Sequence, residues 1–285
     1  MRFRVSCRIK YEIRPPVTLL FAIRPRASDF QRVVQERLVL SPRVGTEVVI
    51  TEPDHNRFDR VRVTEGRELT VRYEAEVERD YYLFDPETLR KVPPAHLNQA
   101  QLPFLLPSRY CQSDRLARFA WQKFGAITDV YDQVLAITDW IHTNVEYVPG
   151  STNSSTSAYD TPMECAGVCR DFAHLGIALC RALTIPARYF AGYAHQLNPP
   201  DFHACFEAFI GGHWILFDAT RLAPPNGLVR IGSGRDAADV SVCTAFGIAR
   251  SVKQDIRCEC LDAGFQPIGG DEIRRSAFSL EGERT

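Results

Sequence analysis

Over the first 95 residues, apolar positions come in short runs that often alternate with polar ones. VSCRIKYEI, VTLLFAIRP, RVVQERLVL, EVVITEP, RFDRVRVTE and ELTVRYEAEVE are rich in β-branched and aromatic residues. A period of two puts one set of side chains on one face of an extended chain, so these segments predict strands. Pro15-Pro16, Asp54-His55-Asn56 and Glu65-Gly66 supply turns between them. Short strands with frequent turns predict a β-rich domain over 1–95, a small antiparallel sandwich or barrel. Pro86, Pro93, Pro94, Pro103 and Pro107 then rule out a long helix, and residues 86–112 read as a connection.

The period changes after that. Ser113 is placed to cap a short helix with Leu116, Phe119 and Ala120 on one face. A second helix is predicted from Thr128 or Asp129, with Val130, Val134, Ile137 and Ile141 at helical spacing. The polar stretch from Gly150 to Asp160 reads as a surface loop. A third helix runs from Cys169 to about Leu183, with Phe172, Leu175, Gly176, Leu179 and Leu183 on one face and Pro186 beyond its end. ARYFAGYAH, HACFEAFI and HWILFD follow as strands, and Gly211-Gly212 predicts a two-residue hairpin between the last two. The expected fold class is α+β. A core spans 96–265, and a polar C-terminal tail occupies 266–285.

Composition narrows the classes of function. The chain has 285 residues, enough for two domains, and a formal net charge of −1 with scattered basic residues. That balance predicts neither a nucleic-acid partner nor an anionic membrane. No run reaches the length of a transmembrane helix, and MRFRVSCRIKYEIRPP lacks the apolar stretch of a secretory signal. The expected compartment is the cytoplasm. Nine cysteines, an odd number without a disulfide spacing pattern, fit it.

One cysteine stands apart. Cys169 follows a glycine by two residues and opens the third predicted helix. Unpaired amides and the helix dipole favour negative charge there, and the thiolate is the reactive form. His174 lies five residues on, which turns it away from Cys169, so it reads as a packed or capping histidine. His203 is the better base. With Gly211 and Gly212 at the turn, Ile210 pairs with His213, and the register carries on to place Cys205 opposite Asp218. His203 and Asp218 then become diagonal neighbours on one face, close enough to touch. A carboxylate holding one imidazole nitrogen leaves the other to take a thiol proton, the logic of nucleophile, base and orienting group. A structural His–Asp bond in a sheet is the competing reading of that pair.

These segments resemble the transglutaminase-like superfamily, in particular its bacterial branch. GVCRDFAHLGIALCRALTIPARYFAGY (167–193) is similar to the family's Gly-x-Cys-x-Asp block, helix and Ile-Pro-Ala-Arg segment. HACFEAFIGGHWILFDAT (203–220) is similar to its His-Ala-x-x-Glu strand, glycine turn, tryptophan and Asp-x-Thr end, and GRDAADVS (234–241) to a segment after the core. The resemblance implies a papain-like core behind a β-rich domain, with Cys169 as nucleophile, His203 as general base and acid, and Asp218 as orienter. Glu207 matches an acidic strand residue and is expected to be structural. Cys205 and Ala219 depart from the aromatic residue and proline common at those positions. The implied chemistry is acyl transfer through a thioester on a protein or peptide substrate. Hydrolysis is favoured because water needs no second binding site. Protein-glutamine transglutamination and a scaffold without turnover are the alternatives. The Cys169 amide is the expected oxyanion donor, with Trp140 and Tyr147 read as packing. No cofactor or metal is expected: Cys165/Cys169 and Cys258/Cys260 lack the paired spacing of a zinc site.

Overall fold

The computed structural model describes residues 1–52 and 55–281. Asp54 of the predicted turn and the last four residues of the predicted tail lie outside them. In the N-terminal region the strands are β1 (Arg2–Phe21), β2 (Gln31–Ser41), β3 (Thr46–Thr51), β4 (Asn56–Val63) and β5 (Glu68–Arg79). They form one antiparallel sheet in the order β2-β5-β1-β4-β3. The two segments predicted on either side of Pro15-Pro16 are one strand. Its first half pairs with β5 and its second half with β4, so the sheet curls instead of stacking as a sandwich. Inward positions such as Phe3, Val5, Ile9 and Leu19 are buried, while the alternate face carries Arg2, Arg4 and Arg8 to solvent.

The strand β6 (Tyr82–Phe84) and the proline-rich connection lead to α1 (Ser113–Phe124) and α2 (Val130–Asn144). Ser113 is the first helical residue of α1 and makes no cap, which corrects its predicted role. Asp129 does cap α2, accepting from the Tyr131 and Asp132 amides. Next come β7 (Glu146–Tyr147), α3 (Thr161–Glu164), β8 (Ala166–Gly167) and α4 (Cys169–Ala182). The core sheet consists of β9 (Ala187–Ala194), β10 (Phe202–Ile210), β11 (His213–Phe217) and β12 (Leu228–Gly234), in the order β11-β10-β9-β12. All of β9 is buried, because α4 covers one face and the C-terminal segment the other. Gly176 of α4 lets that helix approach β10: a Cβ there would lie 2.5 Å from the Phe206 ring.

The chain then returns to its start. β13 (Cys243–Cys260) pairs antiparallel with β1 along nearly its whole length and becomes the sixth strand of the N-terminal sheet, although it falls within the range 96–265 read as the core. The predicted polar tail differs from the structure more sharply. It contains α5 (Gly270–Arg275) and β14 (Ala277–Ser279), which pairs with β6. Ile268, Phe278 and Leu280 are buried against Phe190, Cys205 and Leu216. The alternation in AFSL is a strand signal too short to outweigh its polar surroundings.

Candidate active site

Cys169 is the first residue of α4, half-buried, after the N-cap Val168. Asp171 locks this helix start. Its buried carboxylate accepts the Val168 amide at 3.0 Å and the Thr152 hydroxyl at 2.8 Å. Arg170 reaches the same carboxylate and the Asn153 carbonyl, so the polar loop 150–160 is tied to the beginning of α4. Gly167 is required at this point, since a Cβ would come within 2.9 Å of Asp171 Cβ.

The hairpin has the register derived from its glycines: Ile210 pairs with His213 and Phe206 with Phe217. Gly211 and Gly212 take φ of 62° and 89°. His203 is consequently beside Asp218, with Nε2 2.7 Å from Oδ2. The other carboxylate oxygen accepts the Thr220 amide at 2.9 Å and its hydroxyl at 2.7 Å. Burial opposes charge on the imidazole, but Asp218, with Cys205 and Cys169 adding to it, outweighs burial and raises the His203 pKa well above its ordinary value. Burial likewise opposes charge on Asp218, and His203 with Thr220 still holds it below the ordinary carboxylate range. His203 Nδ1 is buried without a complete hydrogen bond. The Cys169 thiol approaches this imidazole and favours its protonated form. The three residues singled out in sequence are thus brought to one place.

His174 is packed, as expected. It is fully buried, stacks on Tyr110 at 5.0 Å, and its Nε2 accepts the Ala237 amide at 3.1 Å. Trp140 packs on Phe119 and Phe124. Tyr147 packs its ring on Phe172 at 6.0 Å, as its packing assignment has it. Parallel pairing of β7 with β8 places it opposite Gly167, and its hydroxyl turns toward the Cys169 backbone amide. Burial and the neighbouring Cys169 push its pKa up to about 12. No local pattern in the sequence carries that pairing.

Glu207 lies in a buried charge network. It binds Arg230 through both oxygens, at 2.5 and 2.8 Å, and Arg188 at 2.7 Å. Glu281 joins from the C-terminal segment, bonded to Arg188 at 2.7 Å and to Arg26. Neither the Cys165/Cys169 pair nor the Cys258/Cys260 pair belongs to a cluster of metal-ligating side chains; among the described residues such a cluster is formed by His203, Cys205 and Asp218. A cavity of about 370 Å³ also opens beside Asp218, lined by Leu135, Phe217, Leu222 and Ile268, but Cys169 and His203 do not border it.

Comparison with known proteins agrees with this architecture. Residues 118–219 match the transglutaminase-like superfamily and residues 1–100 match the bacterial transglutaminase N-terminal domain. A solved structure from Cytophaga hutchinsonii, described as that of a candidate cysteine protease, is 50% identical. It superposes with a TM-score of 0.96 over 99% of this chain and 98% of that one. An uncharacterized protein of Mycobacterium leprae is 33% identical over 116 residues, 38% of this chain and 42% of that protein. One from Mycobacterium tuberculosis is 27% identical over 269 residues, 84% and 85% of the respective chains. The chain belongs to the transglutaminase-like superfamily.

Proposed function

We propose that this chain is a cysteine-dependent acyl-transfer enzyme that hydrolyses peptide or isopeptide amide bonds. The observation that carries the reading is the His203–Asp218 bond of 2.7 Å with the half-buried Cys169 thiol approaching the same imidazole. In the proposed reaction the Cys169 sulfur attacks the carbonyl carbon and its proton resides on His203. Asp218, fixed by Thr220, supports the imidazolium. The tetrahedral oxyanion is met by the Cys169 amide, with the Tyr147 hydroxyl beside it as second donor. Its collapse breaks the C–N bond, and His203 gives its proton to the leaving amine. Water, deprotonated by His203, then attacks the thioester and releases the acid and the thiol. Glu207 takes no part; its oxygens are spent on Arg188 and Arg230.

Nine free cysteines support a cytoplasmic location, where thiols stay reduced. The test of the reading is the pH dependence of iodoacetamide labelling, with the modified cysteine located by mass spectrometry. Rapid labelling of Cys169 at or below neutral pH, lost in His203→Ala, is expected. Labelling at the rate of an ordinary thiol would leave a scaffold. Hydrolysis is tested against transfer by offering a glutamine peptide with a labelled amine: efficient incorporation would make the protein a transglutaminase instead.

A further inference from the structure

β13 runs along one side of β1 for nearly the whole length of that strand, and β5 and β4 share the other side. The far edge of β13 pairs with no strand among the described residues. Near its C-terminal end that edge meets the end of β9, where His195 Nδ1 lies 3.1 Å from the Cys258 carbonyl. Closer to its start it is open, and Ala245, Phe246, Gly247 and Ile248 are all exposed. The outward N–H and C=O groups of this stretch face water, and an unpaired edge is a template for a further strand.

Sheet edges are ordinarily guarded by charged side chains or proline. The second half of β13 follows that rule, with Arg250, Lys253, Asp255 and Arg257 in it. The first part, CTAFGIA at 243–249, carries neither. Phe246 is 61% exposed and Ile248 60%, on the solvent face of the sheet, paired with Thr18 and Arg14 of β1. Two large apolar side chains next to each other on an unguarded edge are what a partner strand would cover.

We propose that two copies of this chain associate through this edge, β13 against β13, antiparallel about a two-fold axis at Gly247. The side chains select the register. Pairing about Gly247 sets Phe246 opposite Ile248 of the second copy, twice over, and Ala245 opposite Ala249 on the other face. Gly247, at φ 130°, lies on the axis and has no side chain to meet its own copy. Thr244 then faces Arg250, and no like charges are opposed. An axis at Arg250 or Lys253 would set a cation against itself, and half a step either way would set outward side chains against inward ones. A second copy is the occupant because the stretch is its own complement: the strand it lacks must be uncharged and apolar on one face, as it is itself. The opposite edge of the sheet, β3, also exposes Val48 and Ile50, at 45% and 58%. Joining β13 to β3 of the next copy would add chains without end, whereas β13 on β13 closes at two. A standard interface takes about 20–30 residues from each side, and one strand supplies fewer, so the dimer should come apart on dilution.

The test follows the mass of the full chain by sedimentation from about 1 µM to about 200 µM. Wild type is expected to pass from one chain to two across that range. Ile248→Lys and Phe246→Lys put a charge at the centre of the contact and should weaken association by about tenfold or more. Both positions are exposed, so the fold should tolerate the change, and circular dichroism checks that it does. Ile50→Lys, at a comparably exposed apolar position on the other edge, should associate as wild type does. Hydrogen exchange in wild-type peptides spanning 243–251 should slow when the protein is concentrated. A single chain at every concentration would overturn the proposal, and so would growth beyond two chains. Ile248→Lys pairing as tightly as wild type would overturn it too, as would loss of the dimer in Ile50→Lys, which would move the contact to β3.

Discussion

In the N-terminal sheet Arg2 and Arg4 share Glu76 at 3.0 and 2.9 Å, and both guanidinium groups are nearly half exposed. In the core sheet Arg188 and Arg230 share Glu207 at 2.7 and 2.5 Å, with all three side chains withdrawn from water. The chemistry is the same and the setting is opposite. On the open face water reaches both guanidinium groups, although Glu76 itself is largely covered, so either arginine can leave the shared carboxylate at small cost. Between α4 and the C-terminal segment water does not replace a lost partner, and each polar group is held where its neighbours put it. His203 and Asp218 occupy that second environment. Placement of the base is a property of the doubly covered sheet.

The largest effect should come from the polar pair at the site. Asp218→Asn and His203→Ala are each expected to lower hydrolysis of an accepted peptide by about 10³- to 10⁴-fold. Steady-state kinetics on the purified variants measures it. A loss below about tenfold would mean that the buried pair is structural.

Glu207→Gln comes next and acts on stability. It leaves Arg188 and Arg230 with Glu281 as their remaining carboxylate in a dry environment, which should destabilise the fold by about 3 kcal/mol. Urea unfolding measures this. The pH dependence sharpens it. Burial works against ionised Glu207, yet Arg188 and Arg230 hold its pKa below the ordinary value of 4.5. A depressed carboxylate contributes stability above its unfolded pKa, and that contribution disappears as pH falls through the folded one. Wild type should therefore lose stability steeply with acid below about pH 4.5, and Glu207→Gln should show a shallower decline over the same interval. Parallel profiles would place the acid sensitivity elsewhere.

Tyr147→Phe should be smaller and confined to rate. The ring is 36% exposed and rests on Phe172 at 6.0 Å, with its hydroxyl on the side of the Cys169 amide. Loss of one oxyanion donor is expected to reduce kcat by about a hundredfold with KM little changed. A change in KM alone would make the hydroxyl a substrate contact.

The legible and illegible parts of this protein divide along the same line. Strands covered on one face announce themselves by alternation, and β2, β4 and β5 lie where that pattern puts them. The glycine hairpin fixed its own register, which brought His203 to Asp218 and Cys205 beside them without reference to any distant residue. What escaped depends on contacts between segments far apart in the chain. β13 folds back onto β1, Tyr147 meets the start of α4 through a two-residue parallel pairing, and Glu281 joins Arg188 from the far end of the chain. A segment covered by remote partners carries no period of its own. For that reason a polar-looking stretch after residue 265 turned out to close one face of the core.

The smallest effect is expected from Glu76→Gln, and it decides whether the comparison stands. Arg2 and Arg4 would lose their shared carboxylate, but both can turn to solvent from where they lie. Glutamine keeps the shape and can still accept from either guanidinium, so little packing is lost. The urea midpoint should match that of wild type, and added salt should narrow any residual difference, since exposed pairs are screened. The informative result is the ratio to Glu207→Gln measured in parallel. If Glu76→Gln moves the midpoint as far, burial is not what separates the two sheets, and the rigidity assigned to the environment of the site would have to come from elsewhere in the molecule.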